Sequence, residues 1–345
     1  MFNTLKKTSL ALLVASTALL QFSCNNDDVE ADKVGNWYKA GLPSFGGSAR
    51  SRAVSFSIGS KGYIGTGSTS ETVSRVKDFW AYDVSTKIWS QIADYTGTGR
   101  HDAVAFVISG KAYVGTGYDG NTLVDNGYKK DFYQYDPATN LWKKVADFAG
   151  TRNNASAFVV NGKGYVGLGY NGTNFYQDFY SYDPATDKWA EVATFTGGKR
   201  RGANSFVIDG KAYVGFGQNN STANTKDLYQ FDPAGNSGLG SWNKMVDTGD
   251  TWTDLTARAF GFTLVINNKA YIVGGTGLSD VWEYAPTTNT WTAMTPFESG
   301  SARSYAAGFS FGDIGFIGTG VSGSINVDDF WAFDPTSPVN ADDNN

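Results

Sequence analysis

The chain has 345 residues, is rich in Gly and aromatic side chains, is poor in Pro, and carries a formal charge of −5. That composition belongs to a folded, soluble body, and with no basic block or stripe it excludes nucleic acid as a partner. One Cys and one His in the whole sequence exclude an internal disulfide and a zinc site built from those two residue types.

Taken in chain order, Met1 to Lys7 is a short positive segment, and Thr8 to Phe22 is an apolar one too short to span a bilayer permanently. Together they predict a signal peptide over residues 1–23. Leu20-Gln-Phe-Ser-Cys24 resembles a loose bacterial lipoprotein processing site, with small Ser23 before the lipidated Cys24, although Gln21 and Phe22 fit that pattern poorly. Asn25-Asn26-Asp27-Asp28 resembles the acidic export tag of Bacteroidetes surface lipoproteins. The resemblance implies an extracytoplasmic protein, lipid-anchored to the outer membrane with surface exposure as an option, and touching the membrane only through its anchor. Residues 24–35 are expected to be a flexible tether. Lys6 and Lys7 leave with the leader, so the remaining chain is more acidic than the whole.

From Arg50 onward one pattern returns six times. Each copy opens with Arg, two residues, a small residue and a β-branched and aromatic run, beginning at Arg50, Arg100, Arg152, Arg200, Arg258 and Arg303. Turn residues follow in most copies, as Ser109-Gly110, Asn161-Gly162, Asp209-Gly210 and Asn267-Asn268. These residues tolerate the positive φ of a tight hairpin. A second strand then begins at Tyr63, Tyr113, Tyr165, Tyr213, Tyr271 and Phe316. The third and fourth strands are carried by Asp131-Phe-Tyr-Gln-Tyr-Asp-Pro-Ala-Thr-Asn-Leu-Trp142, which recurs from Asp178 to Trp189 and more weakly at Asp78, Asp227 and Asp280. A last copy starts at Asp329 and ends at Ser337 without its Trp, while Trp37 stands unassigned at the other end of the chain.

Four short strands in each period of roughly 50 residues predict a propeller blade. The expected fold is all-β, a six-bladed β-propeller of four-stranded antiparallel blades over residues 36–336. An N-terminal outer strand around Trp37 completes the last blade, and residues 337–345 are a disordered tail. The first strand lies innermost, which accounts for the small residues Ala53, Ala103, Ala155, Ala203, Gly261 and Ala306. Here the chain resembles a six-bladed kelch-repeat propeller. The Tyr-to-Trp spacing and the Tyr-Asp-Pro-Ala-Thr-x-x-Trp run carry the likeness, and they cover nearly all of the mature chain. One departure is that only Gly274-Gly275 shows the family's usual Gly-Gly pair.

In such a protein, recurrent residues serve the scaffold and residues that differ between copies are free to serve a ligand. The repeated Arg and Asp residues are therefore expected to pair within and between blades, the alternative being an anion collar of Arg residues at the channel mouth. Loops joining second to third strands, and blade to blade, share one face and vary widely, and loops on a rigid frame are where binding resides. Candidate ligand contacts there are Tyr118, Tyr170 and Trp252. Two residues beyond each leading Arg lie Arg52, Asp102, Asn154, Gly202, Phe260 and Tyr305, at the position that peptide-binding kelch propellers use. The chain is expected to be a monomer whose ligand is a glycan or a peptide, with no cofactor and no metal. Asp119-Gly-Asn121 with Asp125 lacks calcium-loop spacing and reads as a plain turn.

Chemistry is constrained by the same inventory. The copper enzyme galactose oxidase, built on a related propeller, needs His ligands and a Cys-linked Tyr that this chain lacks. Bacterial kelch propellers also include sialic acid mutarotases, which need a carboxylate and a cation near the sugar ring oxygen. Asp102, Arg52 and Glu298, with His101, are the candidates for that work. A third reading is a protein–protein interaction scaffold in an outer-membrane assembly.

Overall fold

The computed structural model describes residues 33–69, 74–246, 251–297, 301–340, 342 and 344. Six four-stranded antiparallel sheets follow one another around an axis. Blade one comprises Val54–Ile58, Lys61–Gly65, Phe79–Asp83 and Ile88–Ile92. The sixth comprises Ala307–Phe311, Ile314–Gly318 and Phe330–Asp334, and its outer strand is Asn36–Tyr38 from the other end of the chain. The register sets Trp37 opposite Phe333.

Local chemistry explains the blades. The four two-residue hairpin turns read from the sequence all hold both central residues at positive φ, from 49° at Ser109 to 73° at Gly110 and Gly162, as a turn matched to strand twist requires. Second-strand glycines mark close approach: a Cβ on Gly164 would lie 2.3 Å from the Phe106 ring of the preceding blade. Outer-strand Trp residues reach back in the same direction. Trp142 lies 4.9 Å from Phe79, Trp189 5.1 Å from Phe132 and Trp242 4.9 Å from Phe179. Their indole N–H groups donate to Ala93, Ala146 and Ala193 carbonyls in the inter-blade links.

Two cyclic sets of backbone hydrogen bonds tie the blades together near the axis. In the first, the glycines at 67, 117, 169, 217 and 320, two places past the second strands, and Gly275 at the end of its own, each donate to the carbonyl of the next blade's leading Arg, at 2.7 to 2.8 Å. Gly320 donates to Arg50, which joins blade six to blade one. In the second, Asp102 donates to Arg52, Asn154 to Asp102, Gly202 to Asn154, Phe260 to Gly202, Tyr305 to Phe260, and Arg52 to Tyr305, at 2.9 to 3.0 Å. All six of these residues have φ between 49° and 59°. The hydrogen bonds therefore consume backbone groups that an open channel wall would leave unpaired.

The chain end is held further than the sequence suggests. Ser337 accepts from the Gly35 amide at 3.0 Å, and the Asn340 amide donates to Asn36 Oδ1 at 2.8 Å. The expected disordered tail thus begins with a segment fastened to the closing strand.

Candidate functional site

The repeated ionic residues belong to the frame. Each leading Arg is at most 4% exposed and grips its own blade's Asp through two nitrogens, at 2.5 to 3.0 Å. The same guanidinium donates to the carbonyl of the residue preceding the donor glycine, as Arg152 does to Leu168 at 2.9 Å. With its charge neutralised and its face covered, this set cannot form the anion collar that was the alternative reading.

The residues two places further on do converge. Arg52, Asp102, Asn154, Gly202, Phe260 and Tyr305, with the small residues that follow them, line an axial cavity of about 140 Å³. Their side chains lean on one another around the mouth. Gly202 has no side chain, and a Cβ there would meet the Phe260 ring at 2.2 Å, so Phe260 occupies that space. Tyr305 stacks on Phe260 with centroids 4.6 Å apart. The Arg52 guanidinium lies 4.2 Å above the Tyr305 ring and donates to Asp102 Oδ2 at 3.1 Å. His101 Nδ1 approaches the same oxygen at 2.8 Å, and Asn153 donates to it at 3.4 Å.

Electrostatics follow from this packing. Burial pushes the Asp102 carboxyl up, but the hydrogen bonds and charges of His101 and Arg52 outweigh it and hold the group below the usual aspartate range. Burial also pushes the Tyr305 hydroxyl up to about 12. The Asp102 side chain is only 2% exposed. It lines the axial cavity and holds Arg52 and His101 in place through one carboxylate oxygen.

Above the mouth, the variable loops build an aromatic wall. Isolated bridges pair His101 with Tyr118 and Tyr118 with Tyr128, then Asn153 with Tyr170 and Tyr170 with Phe175. The rings continue across blades: Tyr118 to Tyr128 at 4.9 Å, Tyr128 to Tyr170 at 6.2 Å and Tyr170 to Phe175 at 4.8 Å. Arg201 extends the wall toward the mouth, lying 5.0 Å from the Tyr170 ring and 5.8 Å from Phe260.

Trp252 is not part of this surface. It is 7% exposed, packs edge-on against Trp291 at 6.2 Å, and belongs to the core between blades four and five. Its indole donates to the Asn289 carbonyl at 3.4 Å. The longest inter-blade link packs it inward as an apolar plug, and its edge also lines a separate surface hollow with Lys226, Lys244 and Met245. Glu298 and Cys24 lie outside the described residues. Among the described residues, no group of three His, Cys, Asp or Glu side chains is placed to hold a metal ion.

The sequence profile of the KLHDC2/KLHL20/DRC7 kelch-repeats domain matches residues 57–275, well over half of the chain. The chain belongs to the kelch-repeat family. A kelch motif also matches residues 257–298 of this kelch propeller. It is similar to a solved structure titled "Structure of YjhT", with a TM-score of 0.70 and 20% identity over 84% of this chain and 95% of the other. A likeness at that identity bears on the fold alone. No curated protein matches the chain.

Several site residues escape the sequence reading. Arg201 and Asn153 stand one place after a leading Arg, where the copies read Ser51, His101, Asn153, Arg201, Ala259 and Ser304. That position differs between blades almost as much as the next one does, with only Ser recurring, so the same comparison of copies would have found it. Arg75, Tyr128 and Phe175 sit in loops of unequal length, where no column of equivalent residues exists.

Proposed function

We propose that this kelch propeller binds a carbohydrate at its channel mouth without transforming it, and does so outside the cytoplasm on a lipid anchor at Cys24. The observation that carries the reading is the continuous stack from Gly202 through Phe260, Tyr305 and Arg52 to Asp102, seated on a closed ring of backbone bonds. Aromatic faces fixed beside hydroxyl, amide and guanidinium donors match the alternating apolar and hydroxylated faces of a sugar. Such a surface needs little ordering when the ligand arrives, which favours affinity.

The geometry supports binding over proton transfer. A mutarotase must give and take a proton near neutral pH. Asp102 is buried beneath two donors that favour its charged form, so it is a poor shuttle. The test is a glycan array probed with wild type, Tyr170→Ala and Phe260→Ala, alongside exchange NMR on sialic acid and galactose anomers. The proposal expects array signal that both variants lose, and no acceleration of anomer exchange. Capture of peptides with no glycan signal, or accelerated exchange abolished by Asp102→Asn, would replace it with the peptide-binding or the enzymatic reading.

A further inference from the structure

Nine arginines occur in the sequence, and seven of them have a carboxylate partner. Among the described residues, Arg75 and Arg201 have none. Both lie on the variable-loop face. The Arg75 guanidinium rests 4.8 Å from the Tyr118 ring, and the Arg201 guanidinium rests 5.0 Å from the Tyr170 ring. Tyr118, Tyr128 and Tyr170 form the stretch of wall between them. Two guanidinium groups without carboxylate partners thus bracket three tyrosines on a chain whose formal charge is −5.

The donors are also underused. Arg75 Nε is buried with no acceptor among the described residues. Among the described residues, the Arg201 guanidinium donates only to the neutral Gln218 Oε1, from Nε at 3.1 Å and from Nη2 at 2.8 Å. Leaving a buried donor unpaired costs stability, and a guanidinium offers five N–H groups in a fork that matches carboxylate or sulfate oxygens. The loops are shaped around these groups. A Cβ on Gly120 would lie 2.4 Å from Arg75 Nη1, and one on Gly172 would lie 2.8 Å from the Tyr128 ring. The nearby acidic Asp119 is occupied by Lys129 at 2.8 Å and by Thr98 at 3.0 Å.

We infer that this rim is a subsite for an acidic oligosaccharide. Its sugar rings lie along Tyr118, Tyr128 and Tyr170, and its carboxylate or sulfate groups are taken by Arg75 at one end and Arg201 at the other. The inference rests on the glycan-binding reading above and deepens it. Successive ring spacings of 4.9 and 6.2 Å give each tyrosine about one sugar unit, so the site calls for a short chain rather than a monosaccharide. The rings are inclined to one another by 55° and 89° and make a stepped apolar wall between the charges, with aromatic surface for the apolar faces of sugar rings.

The test is calorimetric titration of the full chain with hexagalacturonate, its fully methyl-esterified form, a chondroitin 4-sulfate hexasaccharide and hexaglutamate. Carboxylate and sulfate sources are distinguished by the first and third ligands. At least one acidic sugar is expected to bind about tenfold or more tightly than the neutral ester, with Arg75→Gln and Arg201→Gln each costing about tenfold, the scale of one charge-assisted hydrogen bond. Arg75→Lys and Arg201→Lys, with unchanged melting curves, should recover part of the loss and so separate charge from folding. Equal binding of acid and ester, unaffected by the Gln variants, overturns the subsite and leaves the glycan funnel standing. Hexaglutamate binding as tightly as the best sugar overturns the carbohydrate class. Binding of none of the four, with an empty glycan array, overturns both readings.

Discussion

Trp37 stacks on Phe333 with ring centroids 4.4 Å apart and planes inclined by 25°. The two residues come from opposite ends of the chain and face each other in the pairing of Asn36–Tyr38 with Phe330–Asp334. Trp37 also meets Phe297 edge-on at 4.8 Å, and its indole donates to the Thr295 carbonyl at 3.3 Å. A strand of three residues thereby covers the edge that the last blade would otherwise expose.

Trp37→Ala should therefore cost about 3–5 kcal/mol, the usual figure for a buried Trp cut to Ala, despite its near-terminal position. Equilibrium denaturation in urea measures this. A midpoint indistinguishable from wild type would mean that the ring does not depend on this strand.

The Arg–Asp pairs give a second expectation. Arg152 is 2% exposed and bonded to both Asp178 and Leu168. Removing one partner of such a pair strands the other, so Arg152→Met should cost about 3–5 kcal/mol. Lys111→Met removes a superficially similar pair with Asp136 at 2.8 Å, but that Lys is 43% exposed. Its melting curve should overlay that of wild type. Equal losses in the two variants would contradict the division between frame and surface.

Asp102 makes stability depend on acid. Its carboxyl is held low in the folded chain, with burial opposed and outweighed by His101 and Arg52. A carboxyl depressed by folding stabilises above its unfolded pKa of about 3.9, and that contribution fades as pH falls through the lower folded value. Asp102→Asn should thus destabilise at neutral pH, and its gap to wild type should narrow from about pH 5 downward. Thermal melts of both proteins across that range provide the check, and a gap independent of pH would remove the ion cluster from the account.

Gly202 is the position where the mouth has least tolerance. Its φ is +59°, and a Cβ would press on the Phe260 ring. Gly202→Ala should cost about 1 kcal/mol in backbone strain, and by displacing Phe260 it should weaken sugar binding as well. Urea denaturation and calorimetry with an array-positive glycan read the two effects separately.

Much of this protein was legible because a repeat writes its scaffold six times. The hairpin turns, the small residues at the axis, the Arg and Asp sets and the closing Trp37 all appear as columns in a sixfold comparison. The channel-mouth set from Arg52 to Tyr305 was legible for the opposite reason, since its column never repeats. Arg75 over Tyr118 was not, because that contact joins loops of two blades whose paths depend on length and packing rather than on period. Trp252 could not be placed from the sequence, because how far an aromatic in a long link packs inward depends on the space beside Trp291.

The central claim is that the ligand sits on the variable-loop face over the axial mouth, and hydrogen exchange with and without an array-positive glycan tests it most directly. The account predicts slowed exchange in residues 117–129 and 169–176, with none at the opposite-face turns Ser109-Gly110 and Asp209-Gly210. Protection confined to those turns or to the outer strands, with the loop segments unchanged, would contradict it.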